Sequence, residues 1–178
     1  MIPPETFQTA RLFARIPRRE DAPAAFAAYA SDPIATKYLS WKPHTEVETM
    51  ADFFSARIKD WETAAGHYGY MICLQGTDTP IGSIGFILKG HEAIFGYVLG
   101  QKHWGRGYTT EALSYLLVWA MAQPDIFRAS AFCDVENPAS ARVMEKAGMT
   151  REGILRRYHI APNISPEPRD CIICAKVR

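Results

Sequence analysis

Three apolar, β-like runs, Tyr68 to Leu74, Pro80 to Leu88 and Ala93 to Leu99, follow one another with only short separators holding Gly76-Thr77-Asp78 and Gly90-His91-Glu92. Separators this rich in turn formers make the segment a strand meander. Upstream, Leu12-Phe13-Ala14-Arg15-Ile16 reads as a first strand. The alanine-rich stretch Arg18 to Ala30, with Glu20 and Asp21 early, reads as a helix closed by Pro33. From Glu46 to Ala65 apolar residues recur at helical spacing (Met50, Phe53, Phe54, Ile58, Trp61), and Gly66 stands where a C-cap belongs. Downstream, a helix from about Tyr108 to Gln123 is apolar at Ala112, Leu113, Leu116, Leu117, Trp119 and Ala120 and stops at Pro124. Phe127 to Val135 is strand-like, and Asn137-Pro138 opens a helix that Gly148 ends. Ile154 to Ile160 and Cys171 to Val177 read as the last strands, joined through an extended segment holding Pro162, Pro166 and Pro168. Helices first, then strands interleaved with helices, predict a three-layer α/β (α+β) domain.

At 178 residues the chain supports one well-buried core, so residues 1–178 are expected to form a single domain. Lys and Arg total 20 against 19 Asp and Glu, which gives no general reason to bind nucleic acid or an anionic membrane. Any anion site has to be local. The start, Met1-Ile2-Pro3-Pro4-Glu5, has no basic segment followed by an apolar run. The longest apolar stretch, Ala112 to Ala122, contains Ser114 and is about half the ~20 residues a membrane span needs. A cytoplasmic location is the expectation. Cys73, Cys133, Cys171 and Cys174 lie inside apolar, strand-like runs, where reduced thiols behave as small hydrophobes, so no disulfide is expected. Cys171-Ile172-Ile173-Cys174 has C-x-x-C spacing, but residues three apart in a strand point to opposite faces, and no second pair completes a metal site.

The stretch from Gly96 through Trp104-Gly105-Arg106-Gly107-Tyr108 to Ala112 joins a strand to a helix N-terminus through a glycine-containing turn. Such a turn presents unpaired backbone N–H groups and the positive end of the helix dipole to one point, and Gly105 and Gly107 leave room for a bulky anion. Lys102, His103 and Arg106 add side-chain cations. The full dinucleotide fingerprint fails because Thr110 occupies its third glycine position, and no Gly-Lys-Ser/Thr phosphate loop is present. The turn points to some other phosphate-bearing cofactor.

Lys102 to Gly107 resembles the pyrophosphate-binding motif Arg/Gln-x-x-Gly-x-Gly/Ala of the GNAT acetyltransferase superfamily, with Lys102 in place of the usual Arg or Gln. Asn137 to Met149 resembles that family's later helix, in which Asn-x-x-Ser is followed, after seven intervening residues, by Gly and then Phe or Met. Thr9-Ala10-Arg11-Leu12 with Arg15, the Trp104 to Ala112 segment and Arg169-Asp170 look like its RimJ/RimL-like group, whose characterised members acetylate protein N-termini while relatives modify small amines. The resemblance covers nearly the whole chain. It implies the GNAT fold: a mixed, mostly antiparallel sheet whose fourth and fifth strands splay apart, with acetyl-CoA lying in the V between them. It further implies that backbone around Val98 and Leu99 pairs with the pantetheine arm, that an N–H there polarises the thioester carbonyl, and that amides from Lys102 to Thr109 (Lys102, His103, Trp104, Gly105, Arg106, Gly107, Tyr108, Thr109) hold the pyrophosphate.

Amide formation from a thioester needs a neutral amine, a polarised carbonyl and a stabilised thiolate, so direct attack in a ternary complex suffices. Tyr97 and Trp104 read either as stacking aromatics or as packing. Asn137 and Ser140 face the cofactor by resemblance, and both also suit a helix cap and first turn. Many family members place a proton-donating tyrosine four residues after this serine; Met144 stands there instead, which leaves Ser140 as the substitute. Glu92, Asp134, Glu136, His91 and His159 are all possible bases. By family analogy the acceptor cleft is lined by the loop carrying Trp41 and His44 and by the Tyr158-His159 segment. Without a strong base, an N-terminal α-amine is the easier acceptor. A small-molecule acetyltransferase acting on an antibiotic or polyamine and a non-catalytic acyl-CoA-binding module stay open as alternatives, as does monomer or homodimer.

Overall fold

The computed structural model describes residues 2–178. Eight strands form one sheet: β1 (Thr6–Gln8), β2 (Leu12–Arg15), β3 (His67–Leu74), β4 (Pro80–Lys89), β5 (Glu92–Leu99), β6 (Arg128–Asp134), β7 (Thr150–His159) and β8 (Arg169–Val177), in the order β1-β2-β3-β4-β5-β6-β8-β7. Every neighbouring pair is antiparallel except β5 and β6. A parallel pair needs a long crossover, and helix α3 (Tyr108–Met121) supplies it. The predicted meander is β3-β4-β5. Strand β1 went unread because it is three residues long; it shifts the strand count by one, so the fourth and fifth strands of the sequence reading are β5 and β6.

Strand alternation places Tyr70 and Ile72 in the cluster that packs with Leu113, Leu116 and Leu117 of α3, and Met71 in a second cluster with Ala25, Tyr29, Met50 and Phe54. Met50 and Phe54 belong to helix α2 (Val47–Glu62). Helices on both faces give the three layers. Phe53 departs from the predicted apolar face of α2: it is exposed, with the Arg57 guanidinium over its ring.

The predicted helix from Arg18 to Ala30 is instead a composite of a 3-10 turn (Arg19–Asp21), a short helix α1 (Ala22–Ala25) and a wide π turn (Phe26–Ala30). The wide turn closes where the Ser31 amide and hydroxyl both donate to the Phe26 carbonyl, at 3.2 and 2.9 Å. It rests on the end of β5, where a Cβ on Gly100 would come within 2.5 Å of the Ala28 carbonyl oxygen. Arg15, buried on β2, pairs in a two-pronged fashion with Asp21 at 2.7 Å and so ties this segment to the sheet.

Helix α4 (Pro138–Lys146) starts as its sequence demands: the Asn137 side-chain oxygen accepts from the Ser140 amide at 3.2 Å, and Pro138 takes the first position. The four cysteines are buried free thiols. Cys174 joins the main core while Cys171, three residues before it, lines the central cavity, as opposite faces of one strand require. Among the described residues no helix is long and apolar enough to cross a membrane, and no cluster of His, Cys, Asp or Glu is placed to hold a metal.

Candidate active site

Strands β5 and β6 pair only from Glu92 opposite Arg128 to Phe95 opposite Ala131. Beyond that point β5 stays with β4 as far as Leu99, and β6 stays with β8 as far as Asp134, so the two diverge. A cavity of about 920 Å³ occupies the opening and runs to the start of α3. The Gly100 amide donates to the Ile81 carbonyl at 2.9 Å, which extends the β4-β5 ladder by one pair. Backbone groups alternate sides along a strand, so Gly96 and Val98 face β4 as Gly100 does, while Tyr97 and Leu99 turn their N–H and C=O toward the opening. Of the two residues expected to present an amide there, Leu99 does so and Val98 does not. The Leu99 carbonyl is already engaged by the Trp104 indole at 2.6 Å, which makes Trp104 a brace between the strand end and the turn.

The turn itself has the predicted character. Gly105 and Gly107 sit at φ +73° and +78°, left-handed conformations that glycine alone adopts cheaply. Gly107 is the N-cap of α3, and no side chain caps that helix, so its first amides have no partner within the helix. A Cβ on Gly105 would meet no protein atom within 4 Å, and the Nδ1 of His103 is buried without a hydrogen-bond partner. Glycines, free amides, a helix start and the Arg106 cation fit a pyrophosphate. Two of the expected cations change role. Lys102 is exposed on the turn and does not line the cavity. His103 lines it, but burial, with Arg106 and Lys102 adding to the effect, pushes its pKa down, so the ring is neutral at pH 7.

A clamp holds this turn that no single segment announces. The Arg11 guanidinium, 95 residues from its partner, donates to the Arg106 carbonyl at 2.9 Å and also pairs with Glu111 at 2.6 and 2.7 Å. It lies 4.8 Å from the Tyr108 ring centroid. The Thr9 hydroxyl adds a 2.6 Å bond to Glu111. Burial raises the Glu111 pKa, but the bonds from Thr9 and Arg11 outweigh it and keep the carboxylate charged. Arg11→Ala is expected to weaken CoA binding about tenfold through a loosened turn, the effect of losing a charge-assisted bond at roughly 1.4 kcal/mol. Calorimetry on the folded variant checks it; unchanged affinity would show that the turn holds its shape alone.

At the other end the cavity is walled by residues 34–40, the end of β6 and the His159 to Cys171 region. The Tyr38 hydroxyl donates to the Glu136 carbonyl at 2.8 Å, and Asn163 donates to the Thr36 and Trp41 carbonyls at 2.7 and 2.9 Å, which fixes this wall. Trp41, His44 and Tyr158, the expected acceptor residues, lie beside the wall and not in it. Trp41 lies with its ring centroid 5.3 Å from that of His44 and tilted 54° to it, the His44 Nδ1 is bonded to the Thr49 hydroxyl, and Tyr158 packs edge-on against Phe132 with half its surface exposed. Tyr38 lines the cavity here, and of the expected Tyr158-His159 pair His159 does. That His159 and not Tyr158 lines the cavity follows from a bulge between Leu155 and His159, where Arg157 adopts φ +48° and re-aims the strand.

The five possible bases separate by position. His91 lies in the β4-β5 turn and Glu92 is bound to Arg128 and Ser130 at the closed end of the opening; neither reaches the cavity. Asp134 and Glu136 reach it but are both paired with Arg169. Burial pushes the Asp134 pKa up, yet Arg169 outweighs it and holds the carboxylate below its usual range. His159 lines the cavity with its ring 5.0 Å from Phe132, and burial, opposed in part by Asp134, lowers its pKa. It is a neutral imidazole at pH 7. Ser140 lines the same cavity, and its hydroxyl is 2.8 Å from that of Tyr97. Asn137 lines it too, with its side chain spent on the helix cap.

A strand opening next to an uncapped, glycine-led helix start is matched by what the chain is similar to. Residues 11–150 match the family described as "Acetyltransferase (GNAT) domain". The N-acetyltransferase p20 of Bacillus licheniformis, itself uncharacterised, is 33% identical over 160 residues, which cover 88% of this chain and 89% of that one. A GNAT-family acetyltransferase from Bacillus anthracis superposes with a TM-score of 0.82 at 28% identity, covering 97% of this chain and 98% of that chain. RimL, a ribosomal L7/L12 α-N-protein acetyltransferase crystallised with coenzyme A, superposes with a TM-score of 0.84 at 21% identity over 97% of this chain and 98% of its own, a likeness of fold. The chain belongs to the GNAT acetyltransferase family and is an acetyl-CoA-dependent N-acetyltransferase.

Proposed function

We propose that the chain acetylates a weakly basic primary amine, the α-amine at the N-terminus of a protein or peptide. The observation that carries this reading is the acceptor end of the cavity, where the group free to take a proton is the neutral His159 and the two carboxylates are held by Arg169. A carboxylate-lined pocket would suit a polyamine; here Asp134 and Glu136 share Arg169, and Lys37 in the wall offsets the remaining charge. RimL, a structural neighbour, is an α-N-protein acetyltransferase, which agrees with this acceptor class.

Each residue then has a task. Amides of residues 105–109 hold the pyrophosphate, the open edge at Tyr97 and Leu99 pairs with the pantetheine arm, and the Leu99 N–H points to where the thioester carbonyl gains charge. His159 accepts a proton from the amine. Ser140 offers its hydroxyl to the departing sulfur. A thiol with pKa ~8.5 leaves without much help, so Ser140→Ala is expected to lower kcat by only about tenfold, with CoA affinity unchanged. Steady-state kinetics with a peptide acceptor and CoA titration measure both quantities. If kcat stays at the wild-type value, Ser140 is a helix residue and nothing more.

A further inference from the structure

The hydroxyl of Ser140 has one proton, and its usefulness depends on where that proton points. Two acceptors lie near the Tyr97 hydroxyl: Ser140 Oγ at 2.8 Å and the Ser140 carbonyl at 3.2 Å. That carbonyl sits in the first turn of α4, where the helical pattern already assigns it the amide of residue 144. A carbonyl keeps a second lone pair, so Tyr97 can donate to either oxygen, and we take the shorter contact, to Oγ, as the one that receives its proton. Once Oγ accepts from Tyr97, its own hydrogen cannot point back along the same line and can turn to the cavity or to the neighbouring Cys133 sulfur.

We infer that Tyr97 is a positioning residue, whose hydroxyl on β5 orients the Ser140 hydroxyl as a hydrogen-bond donor to the departing sulfur. The inference rests on the proposed role of Ser140. It also accounts for Met144: that residue is fully buried in the core, so α4 brings no hydroxyl from this position to the cavity, and β5 supplies the tyrosine instead. Tyr97 is suited to the task because burial holds its pKa above the usual value, keeping it protonated and hence a donor throughout the working range. Hydrogen bonds in series polarise one another, so the Tyr97 bond strengthens the donor it orients.

The test is a double-mutant cycle with Tyr97→Phe, which keeps the ring and removes only the hydroxyl, and Ser140→Ala. Tyr97→Phe is expected to lower kcat about fivefold and leave the CoA dissociation constant unchanged, a split that lost packing would not produce. In the Ser140→Ala background the same change should cost nothing further. Ser140→Thr keeps a hydroxyl, and in that background Tyr97→Phe should again lower kcat. A Tyr97→Phe protein with wild-type kcat, alongside an impaired Ser140→Ala, overturns this inference and leaves the role of Ser140 standing. Equal losses from Tyr97→Phe with and without the serine hydroxyl overturn it as well, because Tyr97 would then act independently. A Ser140→Ala protein with wild-type kcat removes the underlying reading and this inference together.

Discussion

A Gly105→Val protein is expected to fold and to bind CoA about a thousandfold more weakly, the loss of two charge-assisted hydrogen bonds at ~2 kcal/mol each. The added side chain would enter open cavity space, since a Cβ there meets no protein atom within 4 Å. It would stand where the pyrophosphate has to approach the free amides at the start of α3. Folding should survive, because the substitution creates no clash and costs about 1–2 kcal/mol of backbone strain at positive φ, against a typical stability of roughly 5–15 kcal/mol. Gly76 separates the two effects. It has φ +78° in the β3-β4 turn, a Cβ there also meets nothing, and it does not line the cavity. Gly76→Val should therefore lose similar stability and keep its CoA affinity. Thermal unfolding and calorimetry on both variants decide the matter; a folded Gly105→Val protein with normal affinity would mean the cofactor lies elsewhere.

The parts of this molecule that were legible in the sequence are those encoded by neighbours along the chain. Short turn-rich separators specify the β3-β4-β5 meander, Gly105 and Gly107 specify the left-handed turn, and Asn137-Pro138 specifies the start of α4, because each signal lies within a few residues of what it determines. The illegible parts depend on distant pairings. Nothing near Arg11 says that it will grip the carbonyl of Arg106, and nothing near Tyr97 says that its hydroxyl will meet Ser140. Of the Tyr158-His159 pair, His159 lines the cavity and Tyr158 does not, for a local reason. Side chains alternate in a strand, and the bulge at Arg157 decides whether Tyr158 or His159 turns inward. His103 shows the same limit for charge, since a histidine counted as a cation in the sequence is neutralised once folding buries it beside Arg106 and Lys102.

Offered one peptide with both a free N-terminus and an internal lysine, the enzyme is expected to acetylate the N-terminus about two hundredfold faster at pH 7. An α-amine with pKa ~8 is neutral in about one molecule in eleven, whereas a lysine amine at ~10.4 is neutral in about one in 2,500. His159 does not erase that difference. Its pKa lies below the usual histidine value because it is buried, so it is already neutral at pH 7 and can accept a proton, but as a weak base it draws one far more readily from an α-ammonium than from a lysine ammonium. The pH profile follows with a definite sign. Between pH 7 and 9 His159 stays neutral and contributes no titration, so kcat/KM for an N-terminal acceptor should rise with the neutral fraction of the amine and level off near pH 8. Asp134 and Glu136 share Arg169 and Lys37 stands in the same wall, so this end carries no net negative charge to favour the more basic amine. Mass spectrometry locates the acetyl group, and the profile is measured with a lysine-free peptide. Acetylation mainly at the lysine would sink the assignment of the acceptor, because it would require a stronger deprotonating group than the cavity contains among its described residues.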